Sequence, residues 1–161
     1  MSPLVPQPLA ARAFAPFGEV IEPVGAPDKM INQGRCGRFH DLAGLDFDAD
    51  GRAGISLFVS EPVSLPLRLE MMERHPLGSQ AFLPMAPEPY LVVVAPDDAG
   101  QPGRPLAFLA APGQGVNYHC NTWHGVLMPL DRAATFAVVD RIGSGDNLQE
   151  HWFDEPYTIG E

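Results

Sequence analysis

A cluster of chemically versatile side chains lies in the short stretch 113–125. It combines an amide, a phenol, two imidazoles and an indole, contributed by Asn117, Tyr118, His119, His124 and Trp123. Imidazoles exchange protons near neutral pH or bind metal ions. Burying so many polar groups is unfavourable unless they are paired, so the composition predicts a site for a small polar molecule. In the structural alternative, the aromatic rings fill a core and the histidines are its hydrogen-bonded neighbours.

The two histidines of this stretch need a turn between them if both serve one site. His119 and His124 are five positions apart, which would place them on opposite faces of a straight strand. We therefore expect the chain to turn at Asn121 and Thr122.

A third histidine stands at the end of an alternating apolar row. Leucine or methionine occurs at every second position from residue 65 to residue 71, and His75 continues the row. Its imidazole is therefore expected to face the interior, where it is either capped by a hydrogen bond or used for chemistry. The turn predicted at 76–78, directly after it, favours use.

Arginine dominates the positive charges. Nine of the ten cationic side chains are arginines, and Arg38, Arg74 and Arg141 each lie beside a histidine or an acid in a strand-like segment. Because the planar guanidinium suits a carboxylate, these three are candidate clamps for a carboxylate ligand. Ordinary surface ion pairs are the alternative.

Short strands separated by turns must position these groups. We predict a short helical turn at 9–18, a loop at 97–104, and a tail from residue 146 that lies over the body or reaches a neighbour. The predicted strands are 19–23, 31–42, 53–60, 65–75, 79–85, 90–95, 105–110 and 135–141. With 18 prolines, 16 glycines and scarcely a helix in 161 residues, the chain is expected to form a single all-β domain, a barrel or sandwich, over 1–161.

Composition excludes several partners. A net charge of −10 argues against nucleic acid, which binds clustered lysine and arginine. The longest apolar runs are of strand length, too short to cross a bilayer. The first residues lack the features of a signal peptide, so a cytoplasmic location is expected, and Cys36 and Cys120 are expected to be free thiols there.

Several motifs together carry a resemblance to a known family. They are RHPLGSQAF at 74–82, GQGVNYH at 113–119 with WH at 123–124, IN at 31–32 with RFHDL at 38–42, and DR at 140–141. The two-part layout resembles the cupin barrel, although the first motif offers His75 and Gln80 where cupins have more histidines and a glutamate. The whole set resembles the ureidoglycolate lyase family from about residue 14 to residue 141.

This resemblance implies a cupin-like β-barrel with one or two short helices, commonly a homodimer. Members split ureidoglycolate, a small carboxylate, into glyoxylate and urea in allantoin and purine degradation. They are described as metal-dependent, with nickel often named. The implied activity is therefore that of a carbon–nitrogen lyase.

The resemblance and the residue chemistry together assign provisional roles. His75 and His124 are expected on the side of the metal or the substrate hydroxyl, with Gln80 as a third metal ligand or a polar partner. His119 with Tyr118 is expected to transfer a proton toward urea. The expected substrate-binding groups are Arg38, Arg74, Arg141, Asn32, Asn117, Gln80 and Asp140; alternatively, Asp140 only holds Arg141 in position.

Other functions stay open at this point. The same pocket would suit a non-catalytic cupin that senses a small carboxylate, or a cupin lyase or isomerase acting on another hydroxy acid. Release of ammonia in place of urea would make the enzyme a hydrolase. Cys120 has no evident base partner in the sequence, which disfavours a thiol nucleophile.

Overall fold

Two large β-sheets and two small hairpins make up the fold. A computed structural model describes residues 2–160. Its elements, in chain order, are β1 (Gln7–Pro8), α1 (Ala11–Phe14), β2 (Gly18–Ile21), β3 (Lys29–Ile31), β4 (Cys36–Arg38), β5 (Arg52–Ser60), β6 (Leu67–Arg74), β7 (Gln80–Pro84), β8 (Tyr90–Ala95), β9 (Asp97–Asp98), β10 (Gln101–Pro102), β11 (Leu106–Ala110), β12 (Gly115–Tyr118), β13 (Trp123–His124), β14 (Met128–Pro129), β15 (Ala134–Ile142) and β16 (Gln149–Ile159).

The larger sheet has seven strands and is buried on both faces at its central strand. Its order is β1-β11-β8-β13-β6-β16, with β14 also paired to β8. The central strand β8 is wholly buried: Tyr90, Val92 and Val94 enter one apolar core, and the alternate residues of the strand enter the other. Burial on both faces explains the continuous apolar run of this strand.

The second sheet has five strands in the order β2-β12-β7-β15-β5. Val116, Phe82 and Val138 are direct neighbours across its three middle strands and belong to the core that it shares with the larger sheet. Two positions further along the same three strands, the next row consists of Tyr118, Gln80 and Asp140. Because side chains alternate along a strand, this polar row faces the same interior as the apolar one.

The structure confirms the all-β, cupin-like class and most of the predicted strands. The short helix is confirmed as α1, and strand β8 matches the predicted segment 90–95. No helix among residues 2–160 is long and apolar enough to cross a membrane.

Three segments differ from the prediction. The single strand expected at 31–42 is wrong: Asn32, Gln33 and Gly34 all have positive φ and turn the chain between β3 and β4. The tail is not merely a cover, because β16 pairs with β6 as an edge strand of the larger sheet. The predicted loop at 97–104 contains the small hairpin of β9 and β10.

Candidate active site

Two histidines distant in sequence meet in the interior. His75 directly follows β6 and His124 ends β13, and their ring centroids are 5.1 Å apart. Asn121 has a φ of 65°, and its backbone N–H donates to the backbone carbonyl of His75 at 2.8 Å. The predicted turn is therefore confirmed, and it attaches the second histidine segment to the first.

A carboxylate completes the group. Glu73 is the cross-strand partner of His124, and its Oε1 lies 3.8 Å from Nε2 of His75. One potential ligand atom from each of these three residues lies within 4.8 Å of the others. Glu73 was missed in the sequence, although it falls on the same alternating row as His75.

Backbone carbonyls fix the tautomers of both imidazoles. Nδ1 of His75 lies 2.8 Å from the carbonyl of Asn147, and Nδ1 of His124 lies 3.0 Å from that of Gly125. A carbonyl only accepts, so in the neutral rings Nδ1 carries the proton and Nε2 carries the lone pair. Both Nε2 atoms are buried with no hydrogen-bond partner among residues 2–160.

This donor set fits a divalent transition metal. Metal-binding histidines characteristically donate their second ring N–H to a carbonyl or carboxylate, which orients the ligating nitrogen. Two such imidazoles and one carboxylate are common ligands for zinc, iron or nickel. Glu73, His75 and His124 therefore form a candidate metal centre.

Burial disfavours the charged forms of His124, Glu73 and Tyr118. It lowers the pKa of His124 to about 3, and the neighbouring His75 lowers it further, so this ring is neutral near pH 7. Burial also raises the pKa of Glu73 and holds that of Tyr118 well above its ordinary value, so the phenol keeps its proton.

Tyr118 forms one wall of the site. Its ring stacks on that of His124 with centroids 4.3 Å apart and an angle of 7° between the planes. Next to it in the sheet, Gln80 donates from Nε2 to Oδ2 of Asp140 at 3.1 Å. The other amide atom, Oε1 of Gln80, is buried with no partner among residues 2–160.

A cavity of about 460 Å³ leads to this group. It reaches Glu73 and His124 and is lined on its outer side by strand β5 and the segment after β13. The lining residues are Phe58, Val59, Ser60, Glu73, Phe82, His124, Gly125, Val126 and Leu127. The candidate centre is thus accessible to a small molecule from the side of β5.

His119 and Asn117 lie on the other face of β12. Nε2 of His119 is 3.2 Å from the carboxylate of Glu19, and the His119 side chain is 46% exposed. Asn117 is buried and donates to the same carboxylate and to the carbonyl of Gly44. These two residues therefore share the carboxylate of Glu19, and they are not part of the group formed by His75 and His124.

Two of the three candidate arginine clamps are already paired. Arg74 donates to Asp97 and Gln149, each at 2.7 Å, and lies over the ring of Trp123. The buried Arg141 donates to the carboxylate of Asp48 and to a backbone carbonyl. Arg141 is thus held by Asp48, and not by the neighbouring Asp140.

The remaining predicted binding residues, Arg38 and Asn32, are on the hairpin formed by β3 and β4. Arg38 is exposed at the end of β4 and has no side-chain hydrogen bond or ion pair among residues 2–160. Asn32 lies in the exposed turn before it. Neither residue lines the cavity that reaches the histidine pair.

Cys120 lies next to the site, and among residues 2–160 its thiol contacts backbone carbonyls and not a base. Its Sγ approaches the backbone carbonyl of Pro76 at 3.0 Å, and burial raises the pKa of the thiol. A raised pKa lowers the thiolate fraction and so disfavours a nucleophilic role.

The fold and this group of side chains define a cupin-like β-barrel with a candidate metal centre in its interior. A family model described as ureidoglycolate lyase matches residues 1–160. The chain belongs to the ureidoglycolate lyase family.

Several bacterial relatives that match this chain along nearly their whole length are named ureidoglycolate lyase. The chain is 58% identical over 159 residues to a ureidoglycolate lyase of Rhodobacter capsulatus, covering 99% of both chains. It is 53% identical over 160 residues to ureidoglycolate lyase 2 of Rhizobium meliloti, covering 99% of this chain and 98% of the relative. A ureidoglycolate lyase of Chelativorans sp. is 51% identical over 160 residues, covering 99% of this chain and 97% of the relative.

Proposed function

We propose that this protein is a ureidoglycolate lyase that releases glyoxylate and urea. The observation that carries the proposal is the meeting of Glu73, His75 and His124 at the end of an open cavity, in a chain matched over residues 1–160 by the family model. The names of the relatives support the same substrate and reaction.

The reaction moves two protons and breaks one bond. The α-hydroxyl of ureidoglycolate loses its proton and the carbon–nitrogen bond breaks, with the electron pair leaving on nitrogen. The carbon becomes the aldehyde of glyoxylate, and the nitrogen takes up a proton to give urea. The site must therefore make the hydroxyl more acidic and place a proton donor near the departing nitrogen.

The residues of the chain suit these two tasks. Glu73, His75 and His124 would hold a divalent cation with the free carboxylate and Nε2 atoms, and nickel is the proposed metal. When bound, such a cation supplies the charge that makes a hydroxyl easier to deprotonate. Tyr118, which keeps its proton and stacks on His124, is the proposed donor toward urea.

Product analysis with racemic ureidoglycolate tests the proposal. The purified protein should release glyoxylate and urea in equal amounts, and removal of metal by a chelator should stop the reaction until divalent ions are restored. Metal content is measured alongside and should fall in His75→Ala and His124→Ala.

Three results would contradict the proposal. Ammonia in place of urea would indicate a hydrolase, and binding without either product would favour a carboxylate sensor. Unchanged turnover in a folded His75→Ala/His124→Ala double variant would remove the site assignment.

A homodimer in the cytoplasm is part of the same proposal. Strand β5 has no strand partner other than β15 among residues 2–160, and Ile55, Leu57 and Val59 on it are 79%, 62% and 72% exposed. Exposed uncharged edges of this kind are usually covered. Free Cys36 and Cys120 suit a reducing compartment.

The distribution of charge favours a second copy of the chain as the partner that covers β5. Two copies, each with a net charge of −10, repel over most of their surfaces, whereas residues 53–60 carry no charge. Because Phe58, Val59 and Ser60 also line the cavity, a copy bound along β5 would border the entrance to the site.

A further inference from the structure

We infer that Asp140 is a positioning residue that orients the Gln80 amide, so that Gln80 accepts a hydrogen bond from the ureido group of the substrate. This inference rests on the proposed function and names the part of the substrate that the site distinguishes. It assigns the recognition of the ureido N–H groups to the five-stranded sheet, opposite the histidine pair.

The sheet places both side chains in the interior. Gln80 lies between Tyr118 and Asp140 as their direct neighbour on the two adjacent strands. Phe82, two positions further along β7 and therefore on the same face, lines the cavity. Tyr118 itself contacts His124, so Gln80 lies in the interior row between Phe82 on the cavity wall and the ring that stacks on the candidate metal centre.

The chemistry of the pair fixes which end of the amide is free. A carboxylate only accepts hydrogen bonds, so the Gln80 atom 3.1 Å from Oδ2 of Asp140 must be the NH₂ group. The amide oxygen then points away from Asp140. It is buried and has no donor among residues 2–160.

An unpaired buried acceptor favours a ligand that donates. Leaving such an oxygen without a partner is unfavourable, and a ligand N–H would satisfy it. A ureido group carries several N–H donors, whereas a hydroxy acid of similar size without nitrogen carries none on that side. The site would therefore discriminate against nitrogen-free hydroxy acids, because they leave the Gln80 oxygen unpaired.

Exchanging the amide and the acid tests the inference. In Asp140→Asn, the new amide can accept from the NH₂ of Gln80 or donate to its Oε1, so the orientation of the glutamine is no longer fixed, and in Asp140→Leu the acceptor is lost altogether. In the double variant Gln80→Glu/Asp140→Asn, the asparagine donates to one glutamate oxygen and the other faces the cavity as an acceptor. We expect Asp140→Asn to lower kcat/KM for ureidoglycolate by about tenfold to a hundredfold, and the double variant to recover a large part of that loss.

A binding measurement separates this inference from the proposed activity. N-Carbamoylglycine has the ureido and carboxylate groups but no hydroxyl, so it cannot be split. Calorimetric titration should show that Asp140→Asn weakens its binding about tenfold or more, with glycolate binding unchanged. Asp154→Asn, an exposed position on β16, is the matched control.

The outcomes are distinct. Wild-type protein that binds N-carbamoylglycine but does not split ureidoglycolate would overturn the proposed function and leave the ureido site standing. Equal binding of N-carbamoylglycine by wild type, Asp140→Asn and Asp140→Leu would overturn the inference. A loss of metal content in Gln80→Met, with metal retained in Asp140→Asn, would also overturn it by identifying Gln80 as a metal ligand.

Discussion

At the scale of single residues, the environments of the histidines predict different consequences of their removal. His124 is buried and presents a free Nε2 beside Glu73 and His75, whereas His119 is half exposed and pairs with Glu19. We expect His124→Ala to lower kcat/KM by at least about a hundredfold and to release metal. His119→Ala should stay within about threefold of wild type, because the half-exposed imidazole and its partner Glu19 are not among the residues of the candidate metal centre.

Steady-state kinetics and metal analysis on the two folded variants check this contrast. A loss in His119→Ala as large as that in His124→Ala would support a proton-transfer role for His119 at a site its described contacts do not reach. The circular dichroism spectra should match wild type, which excludes misfolding as the cause.

A second residue-scale prediction concerns acid stability. The hydrogen bond from Arg141 lowers the pKa of Asp48 below its ordinary 3.8. Because the folded-state pKa is depressed, the stabilising contribution is complete above the unfolded pKa and is lost as pH falls through the folded-state pKa. Asp48→Asn should therefore melt at a lower temperature than wild type near pH 6, and the difference should shrink as pH falls below about 4.

Thermal melts of wild type, Asp48→Asn and Asp154→Asn across this pH range provide the check. Asp154 is exposed on β16, so its replacement should leave the melting temperature close to wild type throughout. A constant difference between wild type and Asp48→Asn down to pH 2 would contradict the linkage.

At the scale of elements, the pairing of β2 with β12 depends on a glycine. A Cβ added at Gly18 would lie 1.9 Å from the backbone oxygen of Asn117, whereas one added at Gly44 would meet nothing closer than 3.8 Å. Gly18→Ala should destabilise the protein by about 1–3 kcal/mol, since backbone cannot move aside cheaply. Gly44→Ala is the matched control, and urea unfolding of both variants measures the difference.

The sequence predicted strands where the period was unbroken and failed where turns or bulges broke it. Strand β8 is a continuous apolar run that matches the predicted bounds. The hairpin of β3 and β4 was missed because consecutive positive φ angles at Asn32 and Gln33 are not evident from residue type. Strand β16 was missed because its register shifts between Trp152 and Tyr157, which hides the alternation.

The same limit explains which site residues could be anticipated. His75 was expected to face the interior because it continues an alternating row, and the family resemblance placed it with His124 at one site, where the two rings do meet. Glu73 shares that row but was not singled out, because the row was followed only for its apolar residues and His75. The partners of Arg74 and Arg141 are Asp97 and Asp48, and pairing over such sequence distances follows only from the sheet topology.

At the scale of the whole molecule, the uncharged edge strand predicts the oligomeric state. Leu57→Glu would place a carboxylate on a surface that two acidic copies must share, so it should convert a dimer into monomers. Val24→Glu, at a position 69% exposed away from β5, should leave the dimer intact. Light scattering after gel filtration measures both masses, and a wild-type monomer at micromolar concentration would contradict the dimer.

The prediction of one domain over 1–161 also belongs to this scale. Both apolar cores share strand β8, so they are expected to unfold together. Calorimetry should then give a single transition, and two separate transitions would indicate independent units.

The carbonyl bonds to the two Nδ1 atoms have a consequence for handling the protein. Since Asn147 and Gly125 hold the rings in place through the backbone, the scaffold of the centre does not depend on an ion to stay assembled. The apoprotein should therefore keep its native fold after dialysis against a chelator, and different divalent ions could be exchanged into one preparation and compared without refolding.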